Sequence, residues 1–583
     1  MAGDGSASPP LPVARGAWWV DALWLLSLAT WSAWWCLTAA PKLGVTYDEP
    51  FYLDAGLESW RGWKPTDGKS PGWRHEFAVT HGVMPLPPDV VTIPLYVAEV
   101  RTGEKFEAEA KIARLRSARA MTLGWLWLLV FSAWRLGRTA GGPWAGRIAA
   151  GLIAADPNFL AHAALATTDI AVTAALLAFT RAVYAGRGGG WWKRITLPGL
   201  WFGIAILCKL SALLFGGFIL VALEVCHRFA TGALSRPVEG SLIAWAAKAG
   251  GATLRSVLAA AATIVVGLAV AVAYCGFPAE GERPFSKVAA GVPANEPLKP
   301  KYEEWAERAE RVPHAVSAFA FQWWWNSRGR PTFLNGTYYP ESYRWYFPEL
   351  LPMKLPLSIF CLVLIALSRP RALANPFALT ALLLLVVLLK ANLQTGIRLA
   401  FPLIAIGYVA IAVALARGYP RCASWIALPA VLALAITSAW VWPHALGYMN
   451  QASGGREAAP RRLSDSNLDW GQGLPELKAW HEANGQPPTI VWYFGTDPAV
   501  FKPPFQRFPL EALPIKTGDD LRKAVGPQIL AVGYTVVTLH PDAPPAKVAA
   551  LEYLRTRRPL ARTATFVLYD FRDEQNGPPP LEE

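Results

Sequence analysis

The feature that most restricts how this chain can fold is a series of apolar segments, most of them close to the roughly 20 residues that a helix needs to cross a bilayer. They lie at 17–40, 118–135, 144–157, 163–185, 195–208, 210–226, 255–276, 351–368, 376–391, 399–416 and 423–442. Hydrocarbon offers no hydrogen bonds, so a spanning segment must satisfy its own backbone, as a helix does. We therefore expect a mainly α polytopic membrane protein with about eleven transmembrane helices, of which 144–157 and 195–208 are short.

The composition of the chain agrees with this class. Of its 583 residues, 53% are hydrophobic and only 17% are charged, which is too apolar for a soluble multidomain protein. The 28 tryptophans suit a membrane protein, because indole rings favour the membrane interface. The six cysteines have no CxxC spacing, which indicates neither a metal cluster nor a disulfide framework. We interpret the first apolar segment, which lacks a small-residue cleavage site, as a first span or signal anchor.

Positive charge in the connections predicts the orientation. With a cytoplasmic N-terminus, the internal connections are 135–147, 181–194, 227–255, 369–375 and 417–422, and among many Arg and Lys residues they hold a single acidic one, Glu239. An excess of basic residues marks cytoplasmic loops. The net charge of +13 is thus largely topological, and no nucleic-acid partner is expected. We expect an integral protein of the cytoplasmic (inner) membrane that contacts membrane lipids.

The same topology leaves three long regions, 41–117, 277–350 and 443–583, on the outer side of that membrane. The first is a long external loop. The third alternates helical runs with the strand-like runs TIVWYF, PQILAVGYTVVTL and TATFVLYDF, which predict a small α/β domain. We therefore divide the chain into a transmembrane domain, 1–442, and an external domain, 443–583.

Two adjacent carboxylates, Asp48 and Glu49, follow the first span in the stretch GVTYDEPFYLDAG. Their structural role could be to begin a short helix, in which Thr46 or Asp48 is the cap and acidic groups meet the positive end of the helix dipole. Successive residues of a helix diverge by about 100°, so the two carboxylates cannot serve one reacting atom equally. One would act, and the other would orient it or hold a cation.

Further ionisable side chains stand at the predicted external ends of spans, in DPNFLAHAALATTDIAV, CKLSALLF, FPELLPMKLPL and ANLQTGIRLAFP; they are His162, Asp169, Lys209, Lys354, Lys390 and Arg398. Ionisable groups at such depths are costly and often functional, although a lysine such as Lys354 or Lys390 could instead snorkel to headgroup phosphates. Carboxylates that face cations suit one reaction, in which a base activates an acceptor hydroxyl while positive charges stabilise a departing phosphate. That phosphate would belong to a lipid-linked sugar.

Several motifs resemble one family in order, side and spacing. YDEPFY is similar to the Asp-Glu motif in the first external loop of glycosyltransferase family 39, the protein O-mannosyltransferases and the lipid A aminoarabinose transferases, all of the GT-C fold. DPNFLAHAALATTD, GIAILCKLSALL, NGTYYPESYRWYFPELLPMKLPL and GIRLAFPL resemble later motifs of that family. SDSNLDWGQGLPELKAW, followed by VWYFGTDPAVF, is similar to the opening of a C-terminal external domain in one bacterial branch.

The resemblance implies roles for individual residues. Asp48 matches the family's catalytic base, Glu49 its partner, and Asp169 a second acidic residue near the acceptor. Lys209 and Arg398 match positions expected to meet the carrier phosphate. The implied activity is an inverting transfer of a hexosyl or pentosyl group from a polyprenyl-phosphate carrier to an acceptor hydroxyl outside the membrane. The acceptor, whether protein, lipid or polysaccharide, is left open.

Two weaker candidates join the substrate-binding set. His81, in VTHGVMPLPP, aligns loosely with a His-Pro-Pro-Leu segment of the family, and Lys354 lies in its Lys-x-Pro-Leu element. Leu399 departs from the pattern, because the family often has His there. No cofactor is expected to be obligatory, but Asp48, Glu49 and Asp169 could together hold Mg²⁺ or Mn²⁺.

Other interpretations stay open at this stage. A transporter or flippase of a lipid-linked substrate would also use intramembrane cations, but it predicts a repeat between halves, and none is visible. A non-catalytic relative that binds the carrier lipid is a second alternative. The run DSNLDWGQ, with Asp465, Asn467, Asp469 and Gln472, could bind a cation or a sugar; its spacing favours the capped start of a helix.

Overall fold

The computed structural model describes residues 18–62, 82–231, 242–277, 289–290, 292, 294, 296–297, 299–308, 312–538 and 543–572. The candidate residue His81 lies outside these ranges. Within them the chain is predominantly helical, and the prediction of a mainly α membrane protein is confirmed.

Each apolar segment predicted from the sequence coincides with helix. The helices of this part are Trp18–Ala39, Leu115–Ala155, Asp169–Gly186, Leu197–Cys208, Ser211–Ala230, Leu242–Cys275, Leu357–Leu367, Pro376–Leu388, Phe401–Gly418 and Ala423–Trp440. Two candidate spans are enclosed by the others, since 83% of the apolar window of Ile397–Gly418 and 78% of that of Asp169–Gly186 are buried. These two central helices bring their first residues to the same place in the molecule, where the candidate site lies.

The longest helical segment, Leu115–Ala155, is a hairpin of two arms. Gly142 has φ 84° and ψ −174°, a conformation that glycine adopts without strain, and Pro143 starts the second arm. A Cβ built on Gly146 would stand 2.6 Å from the carbonyl oxygen of Trp134, although a straight helix would put these residues about 18 Å apart. The two arms therefore pack side by side, and they correspond to the predicted segments 118–135 and 144–157.

The number of candidate spans is lower than the predicted eleven when helices are judged by length and composition alone. Among the described residues seven helices are long and apolar enough to cross a membrane, or eight if Tyr346–Lys354 and Leu357–Leu367, which meet at 106°, are one broken span. The two-armed hairpin Leu115–Ala155 is counted as one helix in that number. Pro376–Leu388 is too short to be counted, and Leu197–Cys208, at 12 residues, is shorter still.

Short elements connect the long helices. They are the helices Glu49–Gly62, Leu86–Thr102, Ala108–Ala113, Pro157–Ala163, Lys299–Arg308, His314–Arg328, Tyr346–Lys354 and Pro370–Leu373, and the antiparallel pair β1, Thr332–Leu334, and β2, Thr337–Tyr339. Glu49–Gly62 begins directly after the loop that carries Asp48 and packs on Leu86–Thr102.

The C-terminal part contains a five-stranded sheet. Its strands are β3 Thr489–Trp492, β4 Phe505–Arg507, β5 Ile529–Gly533, β6 Ala561–Arg562 and β7 Phe566–Asp570, in the order β4-β3-β5-β7-β6. β3 runs parallel to β4 and β5, whereas β7 is antiparallel to β5 and β6. Its helices are Gly455–Arg462, Leu474–Ala483, Gly518–Val525, Tyr534–Val537 and Pro545–Arg555. The three strand-like runs thus become β3, β5 and β7, while the domain boundary and the side of the membrane stay predictions.

Candidate active site

Glu49, the first residue of the helix Glu49–Gly62, is fully buried. Its two carboxylate oxygens accept from Arg119 at 2.7 and 2.8 Å, and the backbone N–H groups of Thr46 and Ala166 each donate to it at 2.9 Å. Arg119 also donates to the carbonyls of Ala40, Leu43 and Gly44. Burial raises the pKa of Glu49, but the Arg119 charge and these donors outweigh it and hold the pKa below its usual value. Glu49 therefore fixes the shape of the loop that carries Asp48.

Asp48 points the other way and is half-buried, with 27% of its side chain exposed. Its Oδ2 accepts from Nη1 of Arg398 at 3.1 Å and from the hydroxyl of Tyr52 at 3.4 Å. Arg398 lies in the turn Ile397–Ala400, immediately before a central helix. The carboxylate that the sequence nominates as a base thus faces the cation that it nominates for phosphate.

Asp169 and Lys209 complete the same network. Asp169, the first residue of the other central helix, accepts from Lys209 at 2.6 Å through Oδ1 and lies 3.6 Å from Nη1 of Arg398 through Oδ2. Lys209 sits in the break between Leu197–Cys208 and Ser211–Ala230, with an extended backbone. Four residues from distant parts of the chain therefore alternate in charge: Asp48, Arg398, Asp169 and Lys209.

The network is electrically balanced and partly open. Two carboxylates face two cations, so the cost of burying each charge is offset by its neighbours. Asp169 is 1% and Arg398 9% exposed, whereas Asp48 and Lys209 keep 27 and 28% of their side chains accessible. A ligand would therefore meet Asp48 and Lys209 first, and the contacts link these two residues through Arg398 and Asp169.

His162 lies beside this network. It is 1% exposed, its ring centroid lies 5.0 Å from that of Phe401 and 6.0 Å from that of Trp470, and neither ring nitrogen has a hydrogen-bond partner among the described residues. Burial lowers the pKa of His162 to about 3, so the ring is neutral near pH 7.

The remaining candidates do not join the network. Lys354 is 1% exposed, and its Nζ donates to the carbonyls of Leu446 at 2.6 Å and Asn467 at 3.1 Å. A buried ammonium with backbone partners does not snorkel to headgroups, whereas contact of Lys354 with a carrier phosphate stays a prediction. Lys390 is exposed. His81 lies outside the described residues.

The three carboxylates named as metal ligands do not converge. Glu49 uses both oxygens on Arg119, Thr46 and Ala166, while Asp48 and Asp169 share Arg398. Within the described ranges no group of three His, Cys, Asp or Glu side chains could hold a metal ion. A cage built from Asp48, Glu49 and Asp169 together therefore does not fit this arrangement.

Sequence reasoning missed two residues that shape the site. Arg119 is the fifth residue of an apolar helix, and an arginine at the end of a predicted span signals a buried partner. Trp470 carries the Arg398 guanidinium over its ring at 4.1 Å from the centroid. Its neighbours Asp465, Asn467, Asp469 and Gln472 bind backbone groups and side chains of the protein, and the helix after them begins only at Leu474. The expected capped helix start is therefore wrong.

Solved structures match most of the length of the chain, whereas no family model and no curated protein matches it. The chain is similar to the crystal structure of ArnT from Cupriavidus metallidurans bound to undecaprenyl phosphate, with 14% identity, 97% of this chain and 100% of that chain covered, and a TM-score of 0.46. It is also similar to the oligosaccharyltransferase AglB from Archaeoglobus fulgidus in complex with an inhibitory peptide and a dolichol-phosphate, with 12% identity, coverage of 96% and 75%, and a TM-score of 0.45. At such identities the functional assignment rests on the residues of the site.

Proposed function

We propose that this chain is an inverting glycosyltransferase of the GT-C type, which moves a sugar from a polyprenyl-phosphate carrier to an acceptor hydroxyl on the outer side of the cytoplasmic membrane. One observation carries the proposal: the accessible carboxylate Asp48 touches Arg398, which is linked through Asp169 to Lys209. The carrier belongs to the chemical class of the undecaprenyl phosphate in the ArnT structure and the dolichol-phosphate in the AglB complex.

The reaction needs a base on one side of the anomeric carbon and positive charge on the other. The acceptor oxygen attacks that carbon while Asp48 takes the hydroxyl proton, and the bond between the carbon and the phosphate oxygen breaks with its electron pair on the phosphate. Attack opposite the leaving group inverts the configuration. The phosphate, a diester with one negative charge before transfer, leaves as a monoester that carries a second.

Arg398 and Lys209 would stabilise the negative charge that develops on the departing phosphate. Fixed cations stabilise the transition state more than the ground state, because negative charge grows on the phosphate as the bond breaks. Arg398 is suited to the task, since a planar guanidinium can hold two phosphate oxygens at once. A phosphate that pairs with Arg398 would compete with Asp48 for it, and Asp48 would then be free to accept the acceptor proton.

The test is sugar transfer from a panel of radiolabelled polyprenyl-phosphate sugars to membrane fractions, with purified wild type and Asp48→Asn. The matched control is Asp54→Asn, because Asp54 lies on the helix that directly follows Asp48 and pairs with Lys111 at a half-exposed position. We expect Asp48→Asn to lose a factor of about 10² or more, the contribution of a general base, and Asp54→Asn to stay near wild type.

The outcomes separate the alternatives. Equal transfer by wild type and Asp48→Asn would remove Asp48 as the base. A folded wild type that binds carrier lipid and transfers nothing across the panel would instead indicate the binding protein or the flippase. Anomeric configuration of the product, read by NMR, tests inversion independently.

A further inference from the structure

Residues 465–472, here called the connecting segment, lie between the C-terminal sheet and the candidate site. On the sheet side, the carboxylate of Asp469 accepts from the backbone N–H groups of Thr535 and Gly471, each at 3.1 Å. The hydroxyl of Thr535 donates to the carbonyl of Asp469 at 2.6 Å and accepts from the backbone N–H of Asp465 at 3.1 Å. Thr535 is the second residue after β5, so the connecting segment is fixed to the end of a central strand.

On the other side the connecting segment holds the turn that carries Arg398. The side-chain oxygen of Asn467 accepts from the backbone N–H of Ile397 at 2.9 Å, and the hydroxyl of Ser466 donates to the carbonyl of Thr395. Gly396, at φ 119°, is enclosed so closely that an added Cβ would meet Ser466 Oγ at 2.3 Å. The backbone before Arg398 is therefore shaped by residues of the connecting segment.

Trp470 acts on the Arg398 side chain itself. The indole is 1% exposed, and the guanidinium carbon lies 4.1 Å from its ring centroid. A cation over a desolvated indole face is attracted by the ring quadrupole without using any of its N–H donors. The stacked guanidinium thus presents Nη1 to Asp48 and Asp169, where a phosphate would bind, while Nε and Nη2 each donate to Thr395 at 3.3 Å.

The same segment is paired with the loop that carries Asp48. The backbone N–H of Tyr47 donates to the carbonyl of Trp470 at 2.9 Å, and that of Gly44 to the carbonyl of Gln472 at 2.7 Å. The ring of Tyr47 stacks on Phe494, just after β3, with centroids 4.5 Å apart and planes 13° apart. One stretch of chain thus contacts both the candidate base loop and the candidate phosphate cation.

We propose that the connecting segment is a working part of the transfer site and that Trp470 is the positioning residue that holds Arg398 in place for the carrier phosphate. The identity of the ligand as a carrier phosphate rests on the function proposed above, whereas the positioning of Arg398 by the connecting segment does not. The C-terminal sheet thereby acts as the support from which Trp470 is held under Arg398.

Carrier binding tests the consequence for phosphate. The dissociation constant of undecaprenyl phosphate is measured on the full-length protein in nanodiscs for wild type, Trp470→Phe and Trp470→Leu. Trp492→Leu is the matched control, since Trp492 is similarly buried, at 3% against 1% exposed, in the same part of the chain but packs in the sheet against Phe508. We expect Trp470→Leu to bind roughly tenfold more weakly, Trp470→Phe within about threefold of wild type, and the control to be unchanged.

A double variant distinguishes positioning from general damage. If Trp470 acts through Arg398, adding Trp470→Leu to Arg398→Gln weakens binding no further than Arg398→Gln alone. The same tenfold loss in both backgrounds would overturn the proposal, as would a dissociation constant that Trp470→Leu leaves unchanged.

Hydrogen–deuterium exchange decides the positioning without a ligand. We expect Trp470→Leu and Asn467→Ala to speed exchange in the peptide that covers 395–400 and to leave β5 protected. Unchanged exchange at 395–400 in both variants would overturn the proposal. A wild type that fails to bind undecaprenyl phosphate would count against the proposed function, and the exchange result would still decide the role of the connecting segment.

Discussion

Asp48 and Glu49 are neighbours in the sequence, yet they face opposite environments. Glu49 is fully buried on Arg119, whose five N–H donors are all used by Glu49 and three loop carbonyls. Asp48 faces Arg398 and remains accessible. The division falls at the start of the helix Glu49–Gly62, since Glu49 is its first residue and Asp48 belongs to the loop before it.

A stability comparison of the two carboxylates should reflect this division. Glu49→Gln leaves the buried Arg119 without its counter-charge, so we expect a loss of about 3–5 kcal/mol in the free energy of unfolding. Asp48→Asn removes a half-exposed partner and should cost about 1 kcal/mol or less. Unfolding in detergent, followed by circular dichroism, measures both, and equal losses would contradict the structural role assigned to Glu49.

The charge of Asp469 should make stability depend on pH. Burial raises the pKa of Asp469 from 3.8 to about 6, although the Thr535 and Gly471 N–H groups oppose the shift. The folded state therefore retains the proton more strongly than the unfolded state. This contribution is fully present below pH 3.8 and is lost as the pH rises through about 6.

The measurement is the unfolding temperature between pH 4 and 8 for wild type and Asp469→Asn. An amide does not titrate in this range, so we expect the variant to lose the part of the pH dependence that ends near pH 6. A difference of about two pKa units between folded and unfolded states corresponds to about 3 kcal/mol in the free energy of unfolding. Identical profiles for the two proteins would show that Asp469 does not titrate in this range.

At the scale of single elements, the helical hairpin Leu115–Ala155 shows what apolar length can and cannot predict. The sequence predicts its two arms as separate segments, and the structure joins them through Gly142 at positive φ. Close packing of the arms depends on glycine, since a Cβ on Gly137 would stand 2.6 Å from the carbonyl oxygen of Ala145. The close approach itself has no signal in hydropathy.

Two glycines of the first arm should respond in opposite directions to alanine. Gly137→Ala forces the arms apart and should cost about 1–3 kcal/mol, as overpacking does. Gly124 has open space around its Cβ position, so Gly124→Ala should gain about 0.5–1 kcal/mol from the lower entropy of the unfolded chain. The unfolding temperature of the two variants, compared with wild type, measures the sign, and a common sign would contradict the hairpin packing.

At the scale of the whole molecule, the four charged residues of the network could be nominated from the sequence, but their pairing could not. The sequence nominates Asp48, Asp169, Lys209 and Arg398, because each stands in a family-like motif at one predicted end of a span. Their pairing depends on contacts between residues up to 350 positions apart, which leave no local pattern. Trp470 was missed for the same reason, since its partner Arg398 lies in a helix start and Trp470 in an irregular segment.

The balance of charge across these distant segments leads to a last prediction, on affinity rather than rate. Asp48 pairs with Arg398, so a carrier phosphate must compete with a carboxylate for the same guanidinium. Asp48→Asn removes that competitor and leaves a net positive site. We therefore expect Asp48→Asn to bind undecaprenyl phosphate about three- to tenfold more tightly while it loses transfer, whereas Asp54→Asn changes neither.

Calorimetry in nanodiscs at two salt concentrations measures the change in affinity, which should shrink as salt screens the exposed charge. Weaker binding by Asp48→Asn would mean that Asp48 helps to hold the carrier instead of yielding Arg398 to it.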